Sequence, residues 1–148
     1  FKTKEEFEEM IESGDLLEYA RFCDNYYGTP KKEVQRSLDE GKDIILEIEV
    51  QGALKVKEIM PEAVLIFIFP PSFEELEKRL VGRNTETPEV IEKRLFRAKE
   101  ELVISKQYDY IVVNDEIELA SQKIHCIIDA EKQKVSRNKK LITEVTGQ

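Results

Sequence analysis

Glu47 and Glu49 stand two residues apart in the stretch from Asp43 to Gln51. On an extended strand that spacing puts both carboxylates on one face, about 7 Å apart. Two acids there, at the end of a hydrophobic run and just before Gln51-Gly52, could serve a metal ion or a donor-rich base. A solvated strand face accounts for the same pattern. Upstream, Asn25-Tyr26-Tyr27-Gly28-Thr29 sets two phenols and a hydroxyl around a glycine. Tyrosine hydroxyls and a helix N-terminus suit phosphate oxygens, although an aromatic turn needs no ligand. Downstream, Arg79 and Arg83 lie four apart, and Arg94 and Arg97 follow across a loop rich in Thr and Glu. Arginine's planar fork matches phosphate, whereas a salt-bridged helical hairpin uses the same residues.

These groups need elements to hold them. Thr3-x-x-Glu6 is a capping box, with Phe7, Met10 and Ile11 at helical spacing and Gly14 as the stop. Leu16 to Phe22 predicts a strand, and Cys23 to Tyr27 a turn into a second one. Thr29-Pro30 predicts a cap followed by proline at the first helical position, with Val34 and Leu38 inward and Gly41 at the end. Asp43 to Gln51 alternates as a strand, with Ile44, Leu46, Ile48 and Val50 on the apolar face. A helix from about Ala53 to Met60 ends at Pro61.

The continuous apolar run from Ala63 to Phe69 predicts a parallel strand covered on both faces. Ser72-x-x-Glu75 caps a helix to about Leu80. Thr87-Pro88 opens a long helix with Ile91, Leu95, Ala98 and Leu102 inward. Tyr110 to Val113 predicts a strand, Ile117 to about Ser136 a last helix, and the polar tail from Asn138 a frayed end. This alternation means an α/β fold with a mainly parallel sheet.

Composition narrows the chemistry. The 148 residues carry a net charge of -8, which argues against a nucleic-acid polymer as partner. Between Glu77 and Lys99, however, seven basic residues face four acidic ones. A positive island in an acidic chain suits a small, highly charged anion. No apolar run approaches the ~20 residues of a membrane span. Cys23 and Cys126 lack partners at metal spacing and suit a reducing cytoplasm. His125, the single histidine, sits among isoleucines on a helical stretch and is read as structural.

Taken together, the blocks resemble the guanylate kinases. They run from Leu17-Glu18-Tyr19 through Asn25 to Thr29, Leu46 to Gly52, Pro70-Pro71-Ser72, Arg79 to Thr87, Lys93-Arg94-Leu95 and Val112-Val113-Asn114-Asp115. The resemblance implies a P-loop NTPase-like mainly parallel sheet with flanking helices. It places a small GMP-binding α+β subdomain near 1–40, core near 43–70 and 106–136, and a helical lid near 72–105. It implies a cytoplasmic enzyme moving the ATP γ-phosphate to GMP, with Mg2+ as cofactor. Glu18 and Glu49 then match readers of guanine, Thr29 a hydroxyl near the base, and Tyr27 a contact of the GMP phosphate. Glu47 matches an acid beside the phosphates that reaches the metal through water. Arg83 and Arg94 match lid arginines, Arg79 a neighbour on the ATP side, and Asn114 a residue of the adenine pocket.

One element of the pattern is absent: no G-x-x-x-x-G-K-[ST] occurs, and Gly41-Lys42 is followed by Asp43. The resemblance implies a strand, loop and helix of at least ~30 residues upstream of Phe1, and a chain inactive without them. Arg83 is followed by Asn84, where the family commonly has glycine. The rival reading is a non-catalytic guanylate kinase-like module that binds peptides. Such modules tend to lose the acids and lid arginines, whereas Glu18, Glu49, Arg83 and Arg94 are all here.

Overall fold

The computed structural model describes residues 2–22, 25–82 and 88–147. The chain divides into two compact units, Phe1–Leu65 and Ile66–Gln148.

In the first unit, α1 (Lys4–Glu12) starts on the expected capping box: Glu6 N donates to Thr3 Oγ1 at 3.2 Å, and Thr3 N to Glu6 Oε2 at 2.8 Å. Both bonds satisfy amides that a helix start leaves orphaned. Gly14, at φ 68°, turns the chain out of the helix. Strands β1 (Leu16–Phe22) and β2 (Asn25–Pro30) pair antiparallel, with Glu18 opposite Thr29 and Ala20 opposite Tyr27. Phe7 of α1 stacks on Tyr26 with ring centroids 5.2 Å apart. Gly28 allows this approach, because a Cβ there would lie 3.0 Å from Phe7 Cζ and 2.9 Å from the Glu18 carbonyl oxygen.

Helix α2 (Lys31–Asp39) begins one residue later than its sequence signal predicts. Pro30 is its N-cap, and Thr29 belongs to β2 instead of capping. Val34 is buried as expected; Leu38, on the same face one turn later and next to the helix end, is exposed. Residues 42–49 form no ladder among the described residues, so the predicted Asp43–Gln51 strand is not a strand here. Its alternation is nonetheless real. Ile44, Leu46 and Ile48 pack against the buried Leu17, Val34 and Val56, and Ile45, Glu47 and Glu49 are exposed. Side-chain period reports which face meets a core; a strand also needs a neighbour for its N–H and C=O groups. Helix α3 (Val50–Ile59) starts three residues before the predicted Ala53, which takes Gln51 and Gly52 into its first turn.

In the second unit, β3 (Ile66–Phe69) pairs in parallel with β4 (Tyr110–Val113). The ladder is extended by Asn114 N, which donates to Phe69 O at 2.7 Å. Strand β3 is shorter than the predicted 63–69, and Ile68 is exposed instead of covered on both faces. Val112 is almost wholly buried, worth about 1.5–3 kcal/mol. Phe67 meets Phe69 and Tyr108 edge-on at 5.1 and 5.0 Å. Helix α4 (Phe73–Val81) is capped by Ser72, whose Oγ accepts from Glu75 N at 3.1 Å. Helix α5 (Pro88–Ile104) turns Ile91, Leu95, Ala98 and Leu102 partly inward.

Helix α6 (Ile117–Lys132) stops four residues short of the predicted Ser136, and a 3-10 turn (Val135–Arg137) follows. The tail expected to fray forms helix α7 (Lys139–Thr146), closed by Gly147 at φ 69°. Its polar residues hide the i, i+4 spacing of Leu141 and Val145. No helix among the described residues is long and apolar enough to cross a membrane.

Candidate functional site

The first unit gathers acids around the start of α3. Glu18 is 7% exposed, an unusual burial for a carboxylate. Its Oε1 accepts a 2.7 Å hydrogen bond from the Thr29 hydroxyl. Antiparallel pairing explains the meeting, since residues directly opposite project to the same face. Tyr27, two residues from Thr29, shares that face and is exposed.

The other side of the Glu18 carboxylate lies against Gly52, the third residue of α3. Glu49 is the N-cap of the same helix, with extended backbone at φ -69° and ψ 159°. Helix starts carry partial positive charge, so two acids at one N-terminus are favourably placed. Glu47 is exposed two residues earlier. The unit thus brings Glu18, Thr29 and Glu49 to one helix end, with Tyr27 on the shared sheet face. This cluster can accept several hydrogen bonds from a donor-rich ligand.

The second unit joins Arg79 to Asn114. The guanidinium of Arg79 donates from Nη1 to the Asn114 carbonyl oxygen at 2.9 Å and from Nε to Glu75 Oε1 at 2.9 Å. Asn114 follows the carboxyl end of β4, where parallel sheets collect ligands. Arg94 is exposed on α5, and Arg97 is tied to Glu101 at 2.9 Å one turn later. Arg83 lies outside the described residues. His125 is exposed on α6 and contacts its own helix through Ser121 O, 2.9 Å from Nδ1.

Two features escaped the sequence reading. One is the Glu18–Gly52 contact, whose linear signal is no more than a glycine three residues after an acid at a helix start. The other is a cluster around the buried Glu131, which joins β4 to the end of α6 and the turn after it. Glu131, 5% exposed, accepts from Tyr110 Oη at 2.6 Å, and Lys134 Nζ lies 2.6 Å from the same oxygen. Arg137 Nη2 lies 3.4 Å from the other. The Lys134 and Tyr110 bonds hold the Glu131 carboxyl below the usual carboxylate range. Glu131 in turn raises both Lys134 and Tyr110, chiefly through those hydrogen bonds.

One unit holds a carboxylate-rich helix start and the other a parallel β3–β4 pair with a helix after each strand, the elements of an α/β chain. The model of the guanylate kinase family matches residues 1–137. The guanylate kinase of Lactococcus lactis subsp. lactis is 56% identical over 137 residues, covering 93% of this chain and 67% of that protein. That of Halalkalibacterium halodurans is 58% identical over the same shares. That of Clostridioides difficile is 52% identical over 97% of this chain and 70% of that protein. The crystal structure of guanylate kinase from Anaplasma phagocytophilum superposes with a TM-score of 0.75 at 35% identity, covering 97% of this chain and 72% of that one. This chain belongs to the guanylate kinase family. It spans about two thirds of the length of the curated relatives it matches.

Proposed function

We propose that the protein is an ATP:GMP phosphotransferase that makes ADP and GDP, and that it works in the cytoplasm. The observation that carries this reading is the buried Glu18 carboxylate, held by Thr29 at the start of α3. Guanine presents a ring N–H and an exocyclic NH2, both donors; adenine presents an acceptor at the matching ring nitrogen. A fixed carboxylate therefore accepts from guanine and repels adenine. In this reading Glu49 completes base recognition, Thr29 positions Glu18 near the base, and the Tyr27 hydroxyl donates to the GMP phosphate.

Phosphoryl transfer itself needs charge stabilisation more than covalent chemistry. Arg94 and Arg83 supply it, and Arg79 with Asn114 borders the ATP side. Mg2+ keeps several waters and binds through one or two carboxylates together with nucleotide phosphates. Glu47, exposed next to Glu49, fits as the acid that holds it through water. When bound, the ion neutralises charge on the β- and γ-phosphates. The GMP-binding subdomain is assigned to about 1–40, the core to 43–70 and 106–136, and the lid to 72–105.

A coupled ADP-release assay on the full gene product tests the reading with GMP, AMP, CMP and UMP as acceptors. Turnover confined largely to GMP is the expected result; equal turnover of AMP would overturn it.

A further inference from the structure

Gly52 occupies a position where glycine is costly. It is the third residue of α3, and glycine inside a helix is less favourable than alanine. Backbone conformation gives no reason for it, since the described glycines with positive φ are Gly14, Gly41 and Gly147. Space does. A Cβ at position 52 would lie 3.0 Å from Glu18 Oε2, 3.4 Å from its Cγ and 3.5 Å from its Cβ. The first distance is tight enough that the carboxylate must move by a few tenths of an ångström.

We infer that Gly52 is a positioning residue for purine recognition: its missing side chain lets the Glu18 carboxylate seat against the first turn of α3 while Thr29 holds the opposite oxygen. The inference deepens the proposed function and rests on Glu18 being the base reader. Glu18 is then held by a 2.7 Å hydrogen bond at Oε1, while its Oε2 lies against the space that a side chain at position 52 would fill. A methyl group at 52 pushes on Oε2 and shifts the oxygens that face the ligand. Hydrogen bonds to charged groups lose strength steeply with misplacement, and base discrimination depends on them.

The test is a set of variants of the full gene product, assayed for GMP and IMP, whose base lacks the exocyclic amine. Gly52→Ala, shown to be folded by its thermal unfolding midpoint, should raise KM for GMP about 10-fold, with kcat and KM for ATP within about twofold of wild type. Its preference for GMP over IMP should fall as well. Glu18→Ala removes Oε2 and Cγ, the two atoms nearest to a methyl group at position 52, so Glu18→Ala/Gly52→Ala should fold and match the KM of Glu18→Ala alone. That double variant decides the matter even if Gly52→Ala fails to fold. A folded Gly52→Ala with unchanged KM for GMP, or a penalty that adds in full on top of Glu18→Ala, would overturn the role of Gly52. Failure of the wild type to use GMP would instead overturn the proposed function.

Discussion

The hydroxyl of Thr29 donates to Glu18 Oε1 at 2.7 Å, across the β1–β2 ladder and 11 residues along the chain. A nearly buried carboxylate is thereby given one partner and one orientation. Without that partner it keeps its desolvation cost, about 1–3 kcal/mol. Thr29→Val preserves shape and removes the donor. KM for GMP should rise about 5- to 100-fold in the full gene product, with KM for ATP unchanged. Steady-state kinetics with each substrate varied in turn checks this, and equal effects on both substrates would point to a general folding defect.

In the proposed function Arg94 acts on the transferring phosphoryl group, so its effect should emerge in the transition state. Arg94→Ala is expected to lower kcat by about 10^2 or more, by the measure of other phosphoryl-transfer arginines. A change confined to KM for ATP would reassign it to ground-state binding.

The Tyr110–Glu131–Lys134 cluster links β4 to the end of α6 and should shape stability against pH. Glu131 is depressed in the folded state, so its contribution is present above the ordinary carboxylate value of about 4.3 and is lost as pH falls through the lower folded value. Lys134 and Tyr110 are raised, so their share is present below their ordinary values and is lost as pH climbs through the raised ones. Thermal unfolding of wild type against Glu131→Gln should show a wild-type advantage at neutral pH that shrinks in strong acid. A constant difference from about pH 7 down to about pH 2 would contradict this.

The 148 residues contain no G-x-x-x-x-G-K-[ST] sequence. In P-loop kinases that sequence supplies the backbone cradle and the lysine that grip the β- and γ-phosphates. The 148-residue chain alone is therefore expected to give no GMP-dependent ADP release. GMP-dependent turnover by this polypeptide would locate the phosphate grip among its own residues.

Much of this was legible in the sequence where local chemistry decides local structure. The Thr3 box, the Ser72 cap, the β1 and β4 strands and the inward stripe of α5 follow from capping groups and apolar period. Residues 42–49 were legible only in part, because alternation specifies a face but says nothing about a hydrogen-bonding neighbour. Thr29 looked like a cap since Thr-Pro is a common helix start; cross-strand pairing with Glu18 used its hydroxyl instead. The Glu18–Gly52 contact and the Glu131 cluster depend on register between elements distant in sequence, which no local pattern reports.

Glu18 as the reader of guanine is the central claim, and one comparison tests it most directly. Glu18→Gln keeps the volume and one acceptor oxygen but replaces the other with an NH2 that faces guanine's donors. Measured in the full gene product with GMP and ATP, kcat/KM for GMP should fall about 10^2-fold, the cost of an unmatched donor in a buried site, while KM for ATP stays near wild type. An unchanged kcat/KM for GMP in a folded Glu18→Gln protein would contradict that role.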